Sequence, residues 1–298
     1  MMKTGDIPIR DPYILVYQGK YYMYGTRNKS VWGKADGFDA YVSADLNLWE
    51  GPCEIFHRPD GFWADECYWA PECICKDGMF YLTATFAAAD RKKGILFLKS
   101  DNPLGPFTPT SMDRVTPADW TCIDGTVYRE DDTYWLIFSH GFPEDLSGSM
   151  MAMKIRNDFT GLTGEPVRLF RASEASWARP VPFAKTEFGI DEPLFFVDGP
   201  SVIGKENGKL QMIFSSWGTG GYTVGIAESD SGKLLGKWHH INRIICRDSG
   251  HGMVFTEMNG KRMLAVHAPN DTPNERPVFL NLDELQKRDD YDKEEAGL

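Results

Sequence analysis

The sequence predicts an all-β protein, a five-bladed β-propeller. A polar turn with Gly or Asp, followed at once by an aromatic or aliphatic run, recurs five times. Each turn is preceded by a short apolar strand and followed by a further one, which is a hairpin signature extended to three strands. Long amphipathic helical stretches are missing apart from Leu282–Glu295 at the end. Units spaced by roughly 50 to 75 residues are the period of propeller blades.

The first unit runs from Tyr13–Tyr17 through the turn Gln18-Gly19 into Lys20–Tyr24, then Asp39–Ser43. The second takes Glu72–Cys75, the turn at Asp77-Gly78, Met79–Leu82 and Ile95–Ser100. The third takes Thr126–Tyr128, Asp131-Asp132, Thr133–Ile137 and Ser149–Lys154. The fourth takes Ser201–Ile203, Asn207-Gly208, Lys209–Ile213 and Thr223–Ser229; the fifth takes Met253–Thr256, Asn259-Gly260, Lys261–Leu264 and Pro277–Leu280. Closing phrases that lead to Trp49, Phe107 and Trp238 announce a fourth, outer strand. One propeller domain is expected over residues 1–298, with an aromatic-rich surface insert at 171–196 and a C-terminal tail at 282–298.

The chain has 298 residues, 32 basic and 43 acidic, for a net charge of −11. That balance argues against a nucleic-acid partner, which needs a basic footprint, and against an anionic membrane surface. No apolar run approaches the ~20 residues that cross a bilayer. The opening MMKTGDIPIRDPY lacks an apolar leader core, so a cytoplasmic protein is expected, or a secreted one if a leader has been removed. The six cysteines contain no C-x-x-C, and buried free thiols are expected; a zinc site at Cys67, Cys73 and Cys75 would have nonstandard spacing.

Counting back from each turn reaches the residue that enters the innermost strand. These residues are Asp11, Ala70, Asp124, Asp198 if its hairpin is two residues longer, and His251, one residue off register. An isolated Asp-Gly or Asp-Pro is ordinarily a turn. Three carboxylates at one blade position converge on the channel mouth, where burial and mutual repulsion push pKa values apart. Folding does not require that arrangement; acid–base chemistry does.

Arg10-Asp11-Pro12-Tyr13-Ile14, Trp69-Ala70-Pro71-Glu72, Ile123-Asp124-Gly125, Asp198-Gly199-Pro200-Ser201 and Gly250-His251-Gly252-Met253 together resemble glycoside hydrolase family 43, in order along residues 6–281. The resemblance implies a five-bladed propeller of the arabinofuranosidase, xylosidase and arabinanase type that hydrolyses oligosaccharides with inversion. It implies Asp11 as general base, Asp124 as modulator of the acid's pKa and Asp198 as general acid. It requires no cofactor; a structural calcium in the central channel, near His251, is the one ion it suggests, although calcium wants six to eight oxygens. The chain departs from the family pattern at Asp198, where Glu is usual. An inverting site needs its carboxyls about 6.5–9.5 Å apart. A displacement of about 1 Å can cost roughly 100-fold. Glu187 and Glu192 in the insert are alternative acids if Asp198 falls short.

Trp69 is expected as a stacking platform for a sugar, with Trp217, Phe86 and Arg276 as further substrate contacts. Trp120 and Trp177 are weaker candidates, and Trp135 belongs to the core by its alternation. Three other readings remain open, one of them a protein-interaction propeller, against which the shared blade position of the three Asp residues argues. A propeller phosphorylase would need a basic cluster, of which Arg171 and Arg179 are the only hint. A non-catalytic carbohydrate-binding propeller would tolerate the Asp198 departure.

Overall fold

The computed structural model describes residues 1–285, apart from the side chains of residues 242–244 and 246. Five antiparallel sheets follow one another along the chain, as the sequence predicts. Blade one holds β1 (Met2–Lys3), β2 (Ile9–Tyr17), β3 (Lys20–Arg27), β4 (Gly37–Ser43) and β5 (Leu48–His57), ordered β1-β5-β4-β3-β2. Blade two holds β6 (Glu66–Lys76), β7 (Met79–Ala88), β8 (Arg91–Ser100) and β9 (Thr108–Pro109). Blade three holds β10 (Cys122–Glu130), β11 (Thr133–His140), β12 (Ser149–Ile155) and β13 (Leu162–Arg171). Blade four holds β14 (Asp198–Glu206), β15 (Lys209–Gly218), β16 (Gly221–Ser229) and β17 (Trp238–Arg247). Blade five has three strands, β18 (Gly250–Thr256), β19 (Arg262–Ala268) and β20 (Arg276–Asn281).

The core is not one mass but five wedges, one between each pair of neighbouring blades. Tyr24, Phe38 and Phe56 of blade one meet Tyr68, Phe80 and Phe86 of blade two. Ile95 and Phe97 meet Leu136 and Phe138, and Phe170 with Met150 meets Phe214 and Met212. Ile213 and Ile226 meet Leu264 and Val266. The ring closes where Met253, Phe255 and Ala265 of blade five pack on Ile9, Ile14 and Met23 of blade one. The last and first blades are therefore joined by side chains rather than by a shared strand.

Each innermost strand is broken by a bulge at its entrance. The bulged pairs are Asp11-Pro12, Ala70-Pro71, Asp124-Gly125, Gly199-Pro200 and His251-Gly252. The first residue of each has positive φ, between 47° and 56°. A bulge of this kind re-aims a side chain, and such backbone persists only where the surroundings hold it. What holds it is a second ring, on the neighbouring strand of the preceding blade. The Thr26 hydroxyl oxygen accepts the Ala70 N–H at 2.8 Å, Thr85 that of Asp124 at 3.0 Å and Ser215 that of His251 at 2.9 Å; His267 Nδ1 accepts that of Asp11 at 3.3 Å. Ser139 holds the fifth place, but there Gly199 N–H turns to Asp124 Oδ2 instead, at 3.2 Å.

This register corrects two positions expected from the sequence. His251 is in register, and Gly199 rather than Asp198 occupies the equivalent place in blade four. The reason lies in the hairpins. β14 carries an additional bulge between Val202 and Gly204, while β18 ends at Thr256 before a longer loop, so distances counted from the turns mislead.

The insert 171–196 packs down as a structured rim. Trp177 fills a slot over Gly225, where a Cβ would lie 2.2 Å from the indole. The short helix α1 (Ala184–Phe188) ends at Gly189 in the left-handed conformation. Of the expected terminal helix, α2 (Leu282–Leu285) is present; the expectation for residues 286–298 lies outside the described residues. Cys53, Cys67, Cys73, Cys75 and Cys122 are free thiols, but of these Cys73 and Cys122 alone are buried, and Cys53 and Cys75 are exposed, against the expectation. Cys246 is not among the described side chains.

Candidate active site

Asp11 and Asp124 are buried and lie outside the lining of a cavity of about 750 Å3 that Asp198 borders. The bulges of blades one and three turn Asp11 and Asp124 inward. Asp198 sits one residue ahead of its bulge, yet reaches the same centre.

His251 ties the group together, its Nδ1 lying 3.6 Å from Asp11 Oδ1 and 3.5 Å from Asp124 Oδ2. Thr26 donates to Asp11 Oδ2 at 2.6 Å, and His267 Nδ1 stands 3.2 Å from Asp11 Oδ1. Tyr222 donates its hydroxyl to Asp198 Oδ2 at 3.0 Å, leaving Oδ1 for a proton. Gly199 must lack a side chain, since a Cβ would come 2.9 Å from His251 Cα.

These partners drive the carboxyls in opposite directions. Burial would raise Asp11, but the imidazoles of His251 and His267 and the nearby Arg10 outweigh it and hold its carboxyl well below the usual range. Burial and the Asp11 charge push Asp124 up to about 8 against the Gly199 N–H. Burial and Asp124 push Asp198 up to about 7, against the Tyr222 hydrogen bond. Glu72, buried nearby, is likewise raised to about 8 by burial and Asp124. At neutral pH Asp11 is an anion, while Asp124 and Asp198 titrate as a coupled pair that retains a proton.

Trp69 borders the cavity. Its Nε1 donates to Val31 O, its edge meets Trp32 at 5.8 Å, and Lys93 Nζ stands over its ring at 5.2 Å. Trp217 also lines the cavity. Phe86 does not: it is 0 % exposed, packed among Phe38, Phe56 and Tyr68, because an aromatic suits the wedge between blades as well as it suits the mouth. Arg276 is also outside the cavity lining and donates to the backbone oxygens of Pro273 and Glu275. The cation that does line the cavity from this seam is Arg10, paired with the fully buried Glu275 at 2.5 Å and held by Asn270. Trp177 and Trp135 are buried core, and Trp120 stacks on His140. Glu187 borders the cavity, whereas Glu192 is exposed and absent from its lining.

Sequence reasoning missed Tyr222, Thr26, His267, Trp32 and Ser139. Ser139 Oγ is buried without a partner and Ser139 lines the cavity. A repeated signal did exist: Thr26, Thr85, Ser139, Ser215 and His267 are polar interruptions of apolar strands at one blade position.

Among the described residues, no group of three or more His, Cys, Asp or Glu is placed to hold a metal ion. The oxygens nearest His251 are already engaged by Thr26, Gly199 and the two imidazoles. These side chains alone do not make up the six to eight oxygens that calcium takes.

A model of the family "Glycosyl hydrolases family 43" matches residues 6–287. The chain belongs to glycosyl hydrolases family 43. Among solved family-43-like folds, an endo-arabinase from Bacteroides thetaiotaomicron is 33% identical, with a TM-score of 0.83, over 94% of this chain and 96% of that one. Xylosidase/arabinosidase 43A of Humicola insolens is 30% identical over 44% of this chain and 45% of its own. A xylosidase/arabinosidase of Bacteroides ovatus is 26% identical over 40% of this chain and 41% of its own. The chain thus spans less than half the length of the curated relatives it matches.

Proposed function

We propose that the protein is an inverting glycoside hydrolase that cleaves arabinofuranosyl or xylosyl units from oligosaccharides of plant-polysaccharide origin. The observation that carries this reading is the opposite perturbation of two neighbouring buried carboxyls, Asp11 held ionised and Asp198, at the cavity, held protonated to about 7. Family membership and the names of the relatives support the choice of sugars.

In this mechanism Asp11 takes a proton from a water beneath the anomeric carbon, steadied by Thr26 and His267. Asp198 donates its Oδ1 proton to the departing oxygen while Tyr222 fixes Oδ2. Asp124 and Asp198 retain a proton as a pair, and the Gly199 N–H that Asp124 accepts binds the blade-four strand that carries the acid. The surrounding carboxylates stabilise an oxocarbenium-like transition state electrostatically.

The phosphorylase alternative has no comparable support. Arg179 donates to the backbone oxygens of Ser176 and Ala178, and neither it nor Arg171 lines the cavity. Proton NMR of the first-formed sugar during hydrolysis tests the mechanism. The inverted anomer is expected; first appearance of the retained anomer, or release of a sugar phosphate only when phosphate is present, would refute it.

A further inference from the structure

We infer that the leaving-group side of this cavity is built for an aromatic aglycone, so that aryl and arylalkyl glycosides are preferred over plain oligosaccharides. This specificity rests on the hydrolase reading above.

The first observation is a continuous aromatic wall. Phe142 and Phe188 have ring centroids 5.2 Å apart, Phe183 and Trp217 5.0 Å, and Phe188 and Phe196 6.2 Å, all bordering the one cavity. Phe188, the last residue of α1, keeps 37 % of its surface exposed. An exposed apolar side chain there gains little unless something covers it.

The wall is continuous with the acid. Phe196 lies two residues before Asp198, and Trp217 pairs in register with Tyr222, whose hydroxyl holds the Asp198 carboxyl. A general acid must reach the glycosidic oxygen, so the group beyond that oxygen lies beside Asp198 and meets these rings.

Polar groups also line the cavity: Glu187 stands next to Phe188 on α1, and Lys93, Thr121 and Ser139 come from blades two and three and the segment between them. Asn270, Asp271 and Thr272 belong to the loop of blade five, and Arg10 is held at the same seam by Glu275. A sugar in the leaving position carries hydroxyls around its rim that need partners when buried, and Phe side chains supply none. An aryl ring has no such need and packs edge-on or offset against other rings.

The shortened acid agrees independently. Phenols ionise near pH 10, as tyrosine does, so a phenolate departs with less protonation than a sugar alkoxide. An Asp one methylene shorter than Glu is a smaller handicap for such a substrate.

The test compares two substrates with the same glycone, arabinofuranose or xylose, whichever is turned over. One carries 2-phenylethanol and the other a second sugar; both leave as alkyl alcohols, so the comparison reports binding rather than leaving-group acidity. The phenylethyl glycoside is expected to show roughly tenfold higher kcat/KM, expressed mainly in KM, as one added aromatic contact allows. Phe188→Ala should bring the ratio of the two toward one, and Phe188→Leu should leave it in between. A disaccharide handled as well or better, or variants that change both substrates by the same factor, overturns the aromatic preference and leaves the hydrolase reading standing. Failure to hydrolyse any glycoside overturns both.

Discussion

At the scale of single residues, the hydroxyl of Tyr222 is as informative as the three aspartates. It donates to Asp198 Oδ2 and so lowers a pKa that burial and Asp124 have raised to about 7. Removing it in Tyr222→Phe raises that pKa further, and the alkaline limb of the pH–rate profile should move upward while kcat falls. An unmoved limb would show that another group sets it. Asp198→Ala should separate substrates by leaving group. Disaccharide turnover should fall by roughly 100-fold or more, the usual contribution of a general acid, and a glycoside of an acidic nitrophenol much less. Equal losses on both would move the acid's role to another carboxyl, of which Glu187 and Asp271 border the cavity.

At the scale of strands, the site depends on bulges whose backbones have positive φ and on glycines that let neighbours close in. Trp177 lies over Gly225, and the Tyr222 ring lies over Gly250 with only 2.0 Å to a hypothetical Cβ. Gly250→Ala should displace Tyr222 from Asp198 and reduce activity, besides costing on the order of 1–3 kcal/mol in overpacking. Denaturant unfolding and kinetics measured on the same variant check both parts. The strands themselves were legible in the sequence, because turn chemistry and alternation recur in every blade. So were Asp11 and Asp124, since their blades have hairpins of equal length. Blades four and five hid their register behind an extra bulge and a longer loop. Phe86 and Arg276 misled for a different reason. Aromatic side chains and cations occur at both the mouth and the seams between blades, and only packing tells the two apart. Tyr222 was invisible as a site residue because an aromatic opening an apolar strand reads as core.

At the scale of the whole molecule, five wedges of apolar side chains hold the ring, and the carboxyls at its axis work against it. Asp198 at about 7, with Asp124 and Glu72 at about 8, bind protons in the folded state that the unfolded chain has released above its ordinary carboxyl pKa. Stability therefore falls as pH rises through those values. Asp11 contributes in the opposite sense only as pH falls below the ordinary carboxylate range, and His267, whose pKa burial lowers, only below about 6.5. Between pH 6.5 and 8 the melting temperature should decline, and Asp124→Asn should flatten that decline. A melting temperature that rises across this window would contradict the protonation states assigned here. The same states give a catalytic profile whose alkaline limb lies near 7 and whose acid limb lies well below the usual carboxylate range.

The central claim is that Asp11 is the base of a glycoside-hydrolysing site. It is tested most directly by turnover of nitrophenyl α-L-arabinofuranoside and β-D-xyloside by the protein and by its Asp11→Asn variant. An activated leaving group scarcely needs Asp198, so the measurement isolates the base. Turnover of one sugar that drops by roughly 1000-fold in the variant, within the range of a general base, is the expected result. Turnover that survives in a folded Asp11→Asn protein would contradict the account.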